Sequence, residues 1–83
     1  MFTCYILFNQ RISKFYVGYT NDLNQKIAGH NRVKGKFTDR GIPWKLVYTE
    51  SFPSKSEAID REMEIKSKKS RNYIENLISI SAG

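Results

Sequence analysis

Phe2-Thr3-Cys4-Tyr5-Ile6-Leu7-Phe8-Asn9, followed after Gln10-Arg11-Ile12-Ser13 by Lys14-Phe15-Tyr16-Val17-Gly18-Tyr19, is the stretch that decides the architecture of this chain. Phe2, Cys4, Ile6 and Phe8 alternate with Thr3, Tyr5, Leu7 and Asn9. Period two with aromatic and β-branched residues is the signature of a strand. The break at Gln10 to Ser13 predicts a hairpin turn. In the second run Phe15, Val17 and Tyr19 share one face, and Lys14, Tyr16 and Gly18 share the other. Gly18 leaves space beside Tyr16.

Downstream, Thr20 or Asn21 can cap a helix from Asp22 to about Asn31, and Asp22 suits the positive end of that helix. Arg32 to Pro43 is basic, contains Gly35 and Gly41, and reads as a long loop. Trp44 to Phe52 reads as a third strand that Pro53 ends. Ser54 or Ser56 then caps a helix to about Lys68, and Ser70 starts a last helix carrying Tyr73, Ile74, Leu77 and Ile78. The order β-β-α-β-α-α predicts an α+β fold, a small three-stranded antiparallel sheet flanked by helices. Neither repeats nor low-complexity segments interrupt it.

With 83 residues the chain has room for one domain, expected to span 1–83. Its 40% hydrophobic residues can close one small core without staples. No run approaches the ~20 apolar residues of a membrane span, and Met1 to Asn9 is too polar for an export signal. A cytoplasmic location, with no membrane span, is therefore expected. Cys4 and His30 are the only cysteine and histidine, too few for a Cys/His zinc cluster, and Cys4 reads as an inert core thiol. Nothing in the sequence fixes an oligomeric state.

The net charge of +6 favours a polyanionic partner, nucleic acid or a membrane surface. Between residues 24 and 45, Lys26, Arg32, Lys34, Lys36, Arg40 and Lys45 face one acid, Asp39, so six bases minus one acid place +5 of the +6 there. Phe37 and Trp44 interleave with these bases, a mixture that can track phosphates and stack on unpaired bases. The same two aromatics could instead anchor the loop to the core.

One carboxylate stands out. On a helical wheel with Ala58 at zero, Ile65 falls at about -20°, Ile59 at about 100° and Met63 at about 140°, which marks a core-facing arc. Glu62 falls inside it, at about 40°, whereas Glu57, Asp60 and Glu64 lie at about 200° to 260°. A carboxylate in that position needs a counter-charge, either a Lys or Arg or a metal ion. On the first helix Leu23 and Ile27 centre the buried stripe, with Lys26 and His30 at its border, where they either pack or reach into a cleft. Tyr5 and Tyr16 sit on neighbouring strands, as core rings with bonded hydroxyls or as cleft residues.

Taken in order, these residues resemble the GIY-YIG endonuclease family, in particular small stand-alone bacterial members related to the nuclease domain of the excinuclease that makes incisions during repair. Cys4-Tyr5-Ile6 stands for the first triplet and Tyr16-Val17-Gly18 for the second. Asp22-Leu23, His30-Asn31, Gly35-Lys36-Phe37-Thr38, Pro43-Trp44-Lys45-Leu46-Val47-Tyr48 and Ser56-Glu57-Ala58-Ile59-Asp60-Arg61-Glu62 follow in the familiar series. The resemblance covers about residues 3 to 78. It implies a divalent-metal-dependent endonuclease that hydrolyses DNA phosphodiesters, in DNA repair or processing. Tyr5, Tyr16, Lys26, His30 and Glu62 would form the catalytic set, with Glu62 holding a single Mg²⁺ or Mn²⁺. Arg32, Lys34, Lys36, Arg40 and Lys45 would contact nucleic acid.

This sequence also departs from the family pattern. Lys26 stands where the family usually has arginine, exchanging a planar fork for a point charge. Cys4 replaces glycine and Val17 replaces isoleucine. Gly29 lowers helix propensity by about 1 kcal/mol relative to alanine. The alternative that Lys26 opens is a catalytically weakened nucleic-acid-binding module of the same fold.

Overall fold

The computed structural model describes residues 1–31 and 44–82. Within them the elements are β1 (Phe2–Asn9), β2 (Lys14–Thr20), α1 (Leu23–Asn31), β3 (Lys45–Phe52), α2 (Lys55–Ser67) and α3 (Arg71–Ala82). The order and the α+β class are those the sequence predicts. The expected loop from Arg32 to Pro43 lies outside the described residues.

β1 runs between the other strands in the order β2-β1-β3 and is antiparallel to both. Its central place explains why Cys4, Tyr5, Ile6 and Leu7 are all buried, on both faces of the sheet. Tyr5 pairs with Gly18 on β2 and with Thr49 on β3. Between Ile6 and Leu7 the register with β3 shifts, so Ile6 faces Tyr48 while Leu7 faces Leu46. This bulge lets Val47 pass without a partner of its own.

Local chemistry sets each boundary. The Asn9 side-chain oxygen accepts from the amides of Arg11 (2.9 Å) and Ile12 (3.3 Å), which closes the hairpin turn. Asp22, rather than Thr20 or Asn21, caps α1: its Oδ1 accepts from the Gln25 amide at 3.2 Å. Thr20 instead braces Asp22, its hydroxyl accepting from the Asp22 amide at 3.0 Å. Ser54 caps α2 by accepting from the Glu57 amide, and its hydroxyl donates to the Glu57 carboxylate. Ser70 accepts from the Tyr73 amide at the start of α3.

The core gathers Cys4, Ile6 and Val17 from the sheet under Ile65 of α2, with Phe15, Tyr48, Phe52, Tyr73, Ile74 and Leu77 packed around them. Cys4 is a free, buried thiol whose pKa is pushed up to about 11 by burial and by the charges of Glu50 and Glu62. That is the inert thiol expected of it. Arg61 ties α2 to the rest, donating to Glu50 at 3.0 Å, to Glu64 at 2.9 Å and to the Tyr73 hydroxyl at 3.3 Å.

One expectation about α2 fails. Ala58 and Ile65 are buried and Glu62 is half-buried, but Met63 is 61% exposed. The buried arc is narrower than the wheel suggests, because α2 meets the sheet along one stripe and no other described element covers the side that Met63 occupies. No described helix is long and apolar enough to cross a membrane.

Candidate active site

Tyr5, Tyr16, Lys26 and Glu62 come from four different elements and line one open cleft of about 410 Å³, together with Gly18 and Lys55. The hairpin supplies the two tyrosines. Their rings stack with centroids 6.3 Å apart and planes 27° apart. Tyr5 is 1% exposed and Tyr16 is 42% exposed, so the pair presents one sheltered hydroxyl and one accessible ring. Trp44 meets Tyr16 edge-on at 6.3 Å, which assigns the indole a packing contact at the cleft margin.

Gly18 is the position that lets this pair exist. A methyl placed there would lie 2.7 Å from the Tyr5 hydroxyl oxygen, 2.9 Å from its ring Cζ and 3.1 Å from Cε1 of Tyr16. The space beside the glycine is therefore filled by Tyr5 first and by Tyr16 second. Burial pushes the Tyr5 phenol up to about 12, with the neighbouring Tyr16 and the Glu62 charge adding to the effect. At neutral pH Tyr5 keeps its proton. It can donate a hydrogen bond, but it is poorly suited to remove a proton from water.

Glu62 projects from α2 with its side chain 16% exposed, and its Oε2 accepts from Lys66 Nζ at 3.1 Å. The counter-charge that its position demands is thus a lysine one turn along the same helix. Glu62 is the one carboxylate lining the cleft among the described residues, and these contain no group of three or more His, Cys, Asp or Glu side chains able to hold a metal. A single carboxylate beside open, polar space suits a hard cation that keeps several waters and takes phosphate oxygens, as Mg²⁺ does. It does not suit zinc, which is held by three or four protein ligands.

Lys26 lies on the exposed side of α1, beside the half-buried Leu23 and Ile27, and lines the cleft. Lys55, the first residue of α2, lines it too, although the sequence did not single it out. Only its direction hints at this: on the same wheel Lys55 falls at about 60°, within about 20° of Glu62. Two lysines and one glutamate make the described cleft wall net positive.

Lys45 starts β3 opposite Phe8, is exposed, and does not line the cleft. His30 falls in the last turn of α1. Its side chain, and the whole of Arg32, Lys34, Lys36 and Arg40, lie outside the described residues.

Known proteins share this arrangement of sequence and fold. The family model for the GIY-YIG catalytic domain matches residues 1–75. A UPF0213 protein of Streptococcus pneumoniae is 40% identical over 78 residues, covering 83% of this chain and 79% of that protein. A UPF0213 protein of Staphylococcus haemolyticus is 51% identical over 55 residues, 65% of this chain and 67% of its own length. Among solved structures, the solution NMR structure of a UPF0213 protein from Bacillus halodurans superposes with a TM-score of 0.63 at 34% identity, covering 100% of this chain and 88% of that one.

Proposed function

The chain belongs to the GIY-YIG catalytic domain family, a nuclease family, and on that premise we propose that it is a divalent-metal-dependent endonuclease that hydrolyses phosphodiester bonds in DNA. The observation that carries this reading is the convergence of Tyr5, Tyr16, Lys26 and Glu62 on one cleft. With DNA as the substrate, its work belongs to the cytoplasm, in repair or processing of DNA.

Hydrolysis forms a bond from water oxygen to phosphorus and breaks the bond from phosphorus to the sugar oxygen. One proton must leave the attacking water, and solvent returns one to the departing sugar oxygen. Glu62 would hold a single Mg²⁺ or Mn²⁺, which when bound offsets the charge that builds on the phosphate and lowers the pKa of a water. Lys26 and Lys55 attract the phosphate into the cleft and stabilise its added charge. Tyr5, protonated, donates a hydrogen bond to the phosphate or to the water. Tyr16, the more exposed of the two, orients the water and relays its proton to solvent. The bases expected to guide the strand, Arg32, Lys34, Lys36, Arg40 and Lys45, retain that proposed role, and His30 retains its proposed place in the catalytic set.

The test is incubation of labelled single-stranded, duplex and branched DNA with Mg²⁺ or Mn²⁺, beside Glu62→Gln. Wild type is expected to cut, and the variant to lose at least about 10²-fold in rate while still binding. Cutting that survives in Glu62→Gln removes Glu62 from the mechanism. Lys26 supports a second reading, a binding module with weakened catalysis, because an ammonium cannot bridge two phosphate oxygens as a guanidinium does. Under that reading wild type binds without cutting, and Lys26→Arg restores cutting.

A further inference from the structure

Beyond Tyr16 lies a second open depression, of about 470 Å³, between β2 and the junction of α2 with α3. Lys14, Lys66, Lys69 and Arg71 line it, and no acidic side chain among the described residues does. All four are exposed. Two of them already have partners: Lys66 bonds Glu62, and Arg71 bonds Glu75 at 2.9 Å and the Ser13 carbonyl at 2.8 Å. Lys14 and Lys69 form no ion pair with any described residue.

The lining is partly aromatic. The Arg71 guanidinium carbon lies 5.2 Å from the centroid of the Phe15 ring, so a planar cation sits over an aromatic ring in the wall of a basic depression. Tyr16 lines both this depression and the catalytic cleft, so the two adjoin at that residue. From Gly18, beside the cleft, to Lys14 is four residues of strand, about 13 Å at ~3.3 Å per residue.

We propose that this depression is a second phosphate track, which receives the nucleic-acid strand on one side of the scissile bond after it passes over Tyr16. The proposal rests on the nuclease reading above and extends it to a surface outside the 24–45 segment. Lys14 and Lys69 contact successive phosphates, and the Phe15 and Arg71 pair supplies a stacking platform for an unpaired base. Adjacency to the cleft at Tyr16 favours a nucleic-acid strand over an acidic protein, because a strand longer than the cleft runs on past that residue.

The experiment measures binding of a labelled single strand, long enough to cover both depressions, by fluorescence anisotropy over a salt series without divalent metal. Lys14→Gln with Lys69→Gln is expected to bind on the order of tenfold more weakly at about 0.1 M salt, with the log–log salt slope shallower by about 1.4, or ~0.7 per phosphate lost. Lys14→Arg with Lys69→Arg should retain wild-type affinity. Unchanged affinity and slope in the glutamine variant, with wild type binding and cutting, overturn the track alone and leave the depression to an acidic protein surface. A wild type that binds no strand at low salt overturns the nuclease reading together with the track.

Discussion

Lys66 donates from Nζ to Glu62 Oε2 at 3.1 Å, one helical turn along α2, so the carboxylate proposed to hold a divalent cation is already paired with a monovalent one. Lys66 is 53% exposed and Glu62 16%, which makes the lysine the mobile partner and the glutamate the fixed one.

Replacing Lys66 by methionine is therefore expected to tighten Mn²⁺ binding about twofold, because an i,i+4 helix pair of this kind is worth about 0.3–0.5 kcal/mol. The cost to helix stability should be no more than about 0.5 kcal/mol. Titration of Mn²⁺ into protein free of nucleic acid, followed by electron paramagnetic resonance, reads the change directly. Equal affinity in wild type and variant would show that the ion pair does not compete for the carboxylate.

Gly18→Ala should destabilise the fold by about 1–3 kcal/mol, the usual range for overpacking a tight site. The added methyl would sit 2.7 Å from the Tyr5 hydroxyl, and Tyr5 is too buried to swing aside. Combining it with Tyr5→Phe removes that closest contact but leaves Cζ at 2.9 Å. The double variant should thus recover part of the loss, visible as a coupling energy in urea unfolding. Strict additivity would place the strain elsewhere.

The raised phenol of Tyr5 gives a stability that depends on pH. Its folded value is about 12 against the ordinary 10.0, so the folded state holds the proton more tightly. Stability from this group is complete below about pH 10 and is lost as pH rises through about 12. Cys4, raised from 9.0 to about 11, adds a loss that begins lower. Urea unfolding between these limits should show the decline, and Tyr5→Phe should remove its upper part. An identical decline in that variant would mean that Tyr5 does not titrate abnormally.

The strands were legible because period-two alternation in Phe2 to Asn9 and Lys14 to Tyr19 admits few other arrangements, and Pro53 with Ser54 marks the end of β3 and the start of α2. Glu62 was legible because a charge within an apolar arc demands an explanation. Met63 was misplaced because a wheel gives direction without saying how wide a surface the helix meets. The cap of α1 was misplaced by one or two residues because Thr20, Asn21 and Asp22 are all competent, and only the bonds between Thr20 and Asp22 settle their division of labour. The shift at Ile6 and Leu7 left no mark, since Leu46 and Val47 are both apolar and either could face Leu7. Lys55 shares a stripe with Glu62, but a lysine at a helix start is ordinary and carries no signal of its own.

Arg71 bears on the order in which the molecule is made. It clamps the tip of the tyrosine hairpin by two bonds to Ser13, to the carbonyl and to the hydroxyl, across 58 positions of sequence. At a synthesis rate of about 5–20 residues per second, some 3–12 s separate the appearance of Ser13 from that of Arg71. Once Thr20 has followed, the hairpin carrying Tyr5 and Tyr16 has both strands but lacks its fastening until Arg71 appears. The two tyrosines are therefore translated seconds before the residue that braces their hairpin's tip.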